Sequence, residues 1–122
     1  MSRLLAATAA VGWIGIWSSG CSRPRDVEGS EEVRQAAARG EEVFFTHCAV
    51  CHSADTEEAI VGPSLKSFFS GSHAPLADGT VLPQTDAAVR RIIEDGTTNM
   101  PPLAGHLTDQ QISDVIAYMH TL

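Results

Sequence analysis

The chain has 122 residues, enough for one compact core, and carries 8 basic against 15 acidic residues for a formal charge of −7. That balance excludes a nucleic-acid binder, whose partner's phosphates demand a basic face. Three cysteines, an odd number, exclude a self-contained disulfide framework, so the three have different tasks.

Residues 1–20 carry one charge, Arg3, followed by apolar and small residues from Leu4 to Trp17 and then by Ser18, Ser19 and Gly20. This is the pattern of a secretory signal peptide, and the run is shorter than the roughly 20 apolar residues that a membrane-spanning helix needs. An uncleaved N-terminal anchor is the alternative. Cys21 follows at once. Small residues leading into a single cysteine resemble the lipobox of bacterial lipoproteins, where that cysteine becomes the lipidated first residue. The leucine usual three positions earlier is replaced here by Ser18. With ordinary cleavage nearby, Cys21 is instead a spare thiol, reactive in an exported protein. Cleavage before Cys21 leaves seven basic and 15 acidic residues, formally −8, with five aromatic residues and no tryptophan. So few large side chains make a thin core.

Residues 21–30 read as a lipid-anchored flexible linker, polar and interrupted by Pro24 and Gly29, and the folded domain runs over 31–122. Helical pattern starts near Glu31: Val33, Ala36, Ala37, Gly40, Val43, Phe44 and His47 recur at three- and four-residue steps. The pattern breaks up over 53–84, where glycines and prolines leave room for one short helical turn around Leu65–Phe69 and a tight turn at Asp78-Gly79. Thr85 then caps a helix carrying Ala88, Val89, Ile92 and Ile93, which Gly96 stops. Thr108-Asp109-Gln110-Gln111 is a capping box, and Ile112, Val115, Ile116 and Met119 follow at i, i+3, i+4 and i+7. No run of alternating β-branched residues is long enough for a sheet. The reading is all-α with long loops.

The chemistry sits at Cys48-Ala49-Val50-Cys51-His52, a C-x-x-C-H motif. Two thiols one helical turn apart can each add to a vinyl group of a haem, and the adjacent imidazole then faces the iron as an axial ligand. A structural zinc site would want four ligands, and no second Cys/His pair stands at finger spacing. A redox dithiol of the thioredoxin type would follow a strand, and none is visible. A haem also gives the long 53–84 loop a body to wrap, with Leu65, Phe68, Phe69, Leu76 and Leu82 as candidate walls. For the sixth ligand, Met100 lies in Thr97-Thr98-Asn99-Met100-Pro101-Pro102, where two prolines hold the chain extended. Its thioether is a soft ligand that raises the potential. His106 is the rival. His47, His73 and His120 read as solvent-facing, and Met119 as core.

These segments resemble the class I c-type cytochrome family from about Glu32 to Leu122. Gly40, Phe44 and Cys48 look like its N-terminal helix, where the glycine permits a close crossing against an aromatic of the last helix, here Tyr118. Gly62-Pro63-Ser64-Leu65 resembles the loop whose proline carbonyl accepts the N–H of the ligating histidine, which implies Pro63 as a support of His52. Asn99-Met100-Pro101 looks like the methionine-ligand loop, and Leu107 to Leu122, with Asp114, Val115, Ile116, Ala117 and Tyr118, the C-terminal helix. The resemblance implies an all-α cytochrome c fold, about four helices around one covalently bound haem c. It also implies an electron-transfer protein rather than an enzyme, with redox proteins as partners. With the anchor, that places it at the periplasmic side of a bacterial membrane, held by lipid on Cys21, or otherwise soluble in the periplasm. The acidic charge predicts a basic docking face on the partner. A bound subunit of a larger membrane-associated dehydrogenase or oxidase is the alternative, and a haem enzyme or gas sensor with an open sixth position is another. Arg90 and Arg91 either reach the haem propionates or form a solvated helix face.

Overall fold

The computed structural model describes residues 25–71, 79, 81 and 83–122. Cys21, His73, Leu76, Leu82 and the signal segment lie outside the described residues. Three helices order the rest: α1 (Arg25–His47), α2 (Asp86–Asp95) and α3 (Asp109–Met119). No strand occurs among the described residues, so the all-α expectation holds.

α1 begins at Arg25 rather than near Glu31, and takes in half of the segment that composition marks as linker. Pro24 stands directly before it in the sequence, a residue type common at helix starts. Among the described residues no helix covers this early part. Val33, which fits the apolar period, is accordingly 62% exposed, and burial on α1 starts at Ala37. From there Gly40, Val43 and Phe44 face α3, the main packing partner of α1.

The crossing of α1 and α3 is set at Gly40. A Cβ there would collide with the carbonyl of Asp114 and come within 2.9 Å of Val115 Cα, so backbone meets backbone. Glycine costs about 1 kcal/mol inside a helix; here the close approach offsets it by burying Phe44, Ile112 and Val115 fully. Tyr118 is not the residue against Gly40. It packs one turn further along, on Phe44, with ring centroids 5.4 Å apart.

Beside the crossing lies Asp114, 3% exposed and the one buried charged side chain among the described residues. The Arg39 guanidinium grips it in a fork, Nε at 2.8 Å and Nη2 at 2.9 Å, and Gln110 Nε2 donates at 2.9 Å. The Arg39 hydrogen bonds hold the Asp114 carboxyl below the usual carboxylate range despite its burial.

α2 and α3 follow their caps. The Thr85 side chain accepts from Ala88 N–H, and Gly96 ends α2 at φ 72° with its N–H on the Ile92 carbonyl. Thr108 and Gln111 close the reciprocal capping box. The stripe Ile112, Val115, Ile116 and Met119 is buried throughout.

The segment around Leu65–Phe69 is a run of turns, and three helices are described. Ser67 sits at φ 56°, a left-handed conformation that no helix continues through. Gln84 braces the run from outside, its Nε2 donating to Phe68 O at 2.6 Å and Gly71 O at 2.7 Å. Phe69 turns away to stack on His120 at 3.7 Å, and His120 Nε2 meets Asp86 Oδ1 at 2.7 Å. His120, exposed as expected, also joins the C-terminus of α3 to the start of α2.

Removing the charge at Asp114 tests this account of the crossing. Asp114→Asn in the haem-loaded protein should cost about 2 kcal/mol in chemical denaturation at neutral pH. Because the native pKa lies below the unfolded one, the wild-type advantage is full above about pH 4 and fades as pH falls through the native value. Equal acid sensitivity in the variant would contradict the assignment.

Candidate functional site

α1, α2, α3 and two loops enclose a cavity of about 260 Å³. Its walls are apolar: Phe44 from α1, Phe68 from the turn, Val89 and Ile93 from α2, Val115 and Met119 from α3. Cys48, Cys51, His52, Pro63 and Met100 all line this one cavity.

The cysteine motif is the tightened end of α1. Cys48 N–H and Ala49 N–H both bond the Phe44 carbonyl, at 2.8 and 2.9 Å, and Cys51 N–H and His52 N–H both bond the Cys48 carbonyl at 2.9 Å. This keeps one helical turn between Cys48 and Cys51 and puts both on the cavity wall, while Val50 between them is 74% exposed. Burial pushes the Cys48 thiol up to about 11, with Cys51 adding to the shift. A neutral sulfur in an apolar wall suits a thioether link to a carbon skeleton better than thiolate coordination of a metal ion. Among the described residues no three His, Cys, Asp or Glu side chains cluster so as to hold a metal.

His52 is fixed from two sides. Its Nδ1 lies 2.8 Å from the Pro63 carbonyl, which can only accept, so Nδ1 carries the proton and Nε2 keeps the lone pair. Gly62 backs the ring: a Cβ at 62 would collide with Cε1 and lie 2.9 Å from Nδ1. The loop is latched to the motif on both sides of the histidine. Val61 N–H and Gly62 N–H donate to the Cys51 carbonyl at 3.2 and 2.8 Å, and Leu65 N–H to the Ser53 carbonyl at 2.8 Å. Ser53, Thr56 and Ser64 join in a hydroxyl network beneath it, Ser64 Oγ donating to Thr56 O at 2.6 Å.

Met100 comes from the loop after α2. With Gly96 in the left-handed region, a Cβ there would stand 2.7 Å from Pro102 N, so the loop folds directly over the helix end. Leu103 N–H donates to the Ile93 carbonyl at 2.8 Å and closes the loop against α2. The rivals stand elsewhere: His106 is exposed, and neither it nor His47 or His120 lines the cavity. Met119 is buried in α3 as expected, and also lines the cavity. Arg90 is engaged by Glu94 at 3.3 Å and Ser113 at 2.6 Å, and neither it nor Arg91 lines the cavity. Phe69, expected on the wall, packs on His120 instead.

The residues present fit a covalently held porphyrin: two sulfurs on one wall, an oriented imidazole with a free Nε2, and an apolar interior. Sequence reasoning missed the latch at Val61 and the hydroxyl network. Serine and threonine in a loop give no periodic signal, because their partners lie up to twelve residues away.

A family model described as cytochrome c matches residues 37–122. The cytochrome c6 of Synechococcus elongatus is 30% identical over 82 residues, covering 67% of this chain and 85% of the relative. The cytochrome c6 of Thermosynechococcus vestitus is likewise 30% identical over 82 residues, covering 67% of this chain and 66% of the relative. The cytochrome c6 of Diacronema lutheri is 28% identical over 85 residues, covering 67% and 90%.

Proposed function

The chain belongs to the cytochrome c family and carries a covalently bound haem c, and on that premise we propose that it passes single electrons between redox proteins at the outer face of a bacterial membrane, with His52 and Met100 as the side chains that would hold the iron. Bound in the cavity, the haem supplies one-electron iron(II)/iron(III) chemistry. The observation that carries the reading is the meeting of Cys48, Cys51, an oriented His52 and Met100 on a single apolar cavity.

Each side chain has a defined task. Cys48 and Cys51 are the covalent attachment points. His52 offers Nε2 in one orientation, because the Pro63 carbonyl holds Nδ1–H, and that bond makes the ring a stronger donor. Met100 offers a soft thioether, which favours the reduced state and raises the potential. With both side chains holding the iron no position would be left open for a substrate, and the chemistry supplied there would be electron exchange. The apolar walls keep water out, which limits reorganisation when the charge changes.

Transfer needs a docking surface next to this cavity. Val61 lines the cavity and is 74% exposed, and Val50 and Ile60 are exposed beside it in the chain. Asp55, Glu57 and Glu58 lie on the same loop, and the one nearby lysine, Lys66, pairs with Glu57 at 3.2 Å. An apolar mouth with acidic neighbours suits a partner face that is apolar at its centre and basic around it. For tethering, Cys21 after the signal-like residues 1–20 is read as the lipid anchor, and α1 begins four residues later. Among the described residues, no helix is long and apolar enough to cross a membrane.

Three measurements test these statements. The oxidised protein should show the weak far-red sulfur-to-iron absorption band, and Met100→Ala should abolish it and let the reduced protein bind carbon monoxide; a band unchanged in the variant would remove Met100 from the iron. Electron transfer to a basic partner should slow about tenfold or more as ionic strength rises from ~0.01 to ~0.2 M, with Glu57→Gln/Glu58→Gln slower at low salt; rates indifferent to salt would defeat the docking reading. Mass spectrometry of the native N-terminus should find diacylglycerol on Cys21, and a mature end lacking it would return Cys21 to a spare thiol.

A further inference from the structure

Resting on Met100 as the sixth ligand, we propose that Thr97 is the residue that positions it, through its hydroxyl. Residues 97–100 form a four-residue turn closed in an uncommon way. In a plain β-turn the N–H of the fourth residue bonds the carbonyl of the first. Here the Met100 N–H bonds the Thr97 hydroxyl, Oγ1, at 3.1 Å, and the Asn99 N–H shares the same oxygen at 3.3 Å. In the reverse direction the Thr97 N–H donates to the Met100 carbonyl at 2.8 Å. Both backbone polar groups of Met100 are therefore tied to one residue, and the side chain stands in for an acceptor that the backbone does not provide.

The rest of the loop makes this tie decisive for where the thioether goes. Upstream, Gly96 is packed beneath Pro101 and Pro102 and hands the chain to Thr97 at a fixed φ of 72°. Downstream, Leu103 N–H on the Ile93 carbonyl fixes the exit. Between these two fixed ends, Thr97, Thr98 and Asn99 are exposed at the edge of the cavity they help to line, and none is an apolar anchor for the loop. Met100 is only partly buried, so packing alone does not hold it. What closes 97–100 is the pair of bonds on Oγ1 and the one on the Met100 carbonyl. Removing the hydroxyl leaves two N–H groups to water and frees the turn to swing Met100 away from the cavity. Thr97 touches no reacting atom and acts through Met100.

Thr97→Val keeps the shape and removes the acceptor; Thr97→Ser keeps the acceptor and removes a methyl group. The readout is displacement of the methionine from oxidised holoprotein by added imidazole, followed by loss of the far-red sulfur-to-iron band. Imidazole binds only the methionine-off form, so its apparent affinity reports that population. Two exposed hydrogen bonds together are worth roughly a factor of ten. Thr97→Val should bind imidazole about tenfold more tightly than wild type, and Thr97→Ser within about twofold of wild type. Helix content by circular dichroism should be the same in all three. Equal imidazole affinity in wild type and Thr97→Val, or a serine variant as weakened as the valine one, overturns the positioning role. If Thr97→Val fails to accumulate with haem, Thr97→Ala removes the same acceptor and is read by the same criteria. A wild type without the band would instead overturn Met100 as ligand, and Thr97's role with it, so the two failures are told apart by the wild-type spectrum.

Discussion

A close approach of backbone to backbone at Gly40 governs the geometry of the cavity. Because no side chain stands between α1 and the Asp114–Val115 stretch of α3, Phe44 and Val115 meet behind the cavity and form its back wall. The same approach aims the end of α1, and with it Cys48 and Cys51, across that wall. A helix pair held at the wider spacing of ordinary side-chain packing, some 8–10 Å between axes, would move the cysteines outward. The buried Asp114, gripped by Arg39, stands beside this contact and fixes how the two helices are rotated about each other.

Helices and loops divide the work. The helices give walls, through the buried faces of α1, α2 and α3. The loops give donors, and they are held by backbone hydrogen bonds rather than by apolar burial: Cys51 O to Gly62 N–H for the His52 side, Ile93 O to Leu103 N–H for the Met100 side. That arrangement follows from where the loops lie. At the rim of a cavity, one side of each loop faces solvent and little apolar area is left to bury, whereas a backbone bond needs only alignment. Glycine recurs where each loop must pass tightly, Gly62 against the imidazole and Gly96 under the two prolines.

What could be read from the sequence was what depends on near neighbours. The capping box at Thr108, the Thr85 cap, the Gly96 stop and the buried stripe of α3 are all signals within one or two turns, and the structure carries them as read. The C-x-x-C-H motif is local too, and it named the cofactor. Other features were hidden because their cause is distant. Val33 satisfies the helical period, but no described helix crosses α1 there to bury it. Asp114 looks like an exposed helix residue until Arg39, 75 positions away, is brought beside it. Ser67 gives no hint of its left-handed backbone, and the run around it stays a set of turns for that reason. Phe69 and His120 each looked unremarkable, one as wall and one as surface, and only their stacking across the fold shows that they serve each other.

The scarcity of aromatic residues acquires a structural meaning from the same comparison. Of the five outside the N-terminal segment, Phe45 is exposed and Phe69 is spent on His120, which leaves Phe44, Phe68 and Tyr118 to the interior. Three rings and a set of aliphatic side chains do not make a large core for a domain of this size. Yet Phe44, Phe68, Val89, Ile93 and Val115, which share one core cluster, also converge on one cavity, as side chains do when they pack against a flat apolar body. The haem c of this family is such a body, and it therefore counts among the core residues as well as being the redox centre. Held covalently, as the proposed attachment at Cys48 and Cys51 would hold it, that part of the core would be as permanent as a side chain, so stability and electron transfer would depend on the same contacts.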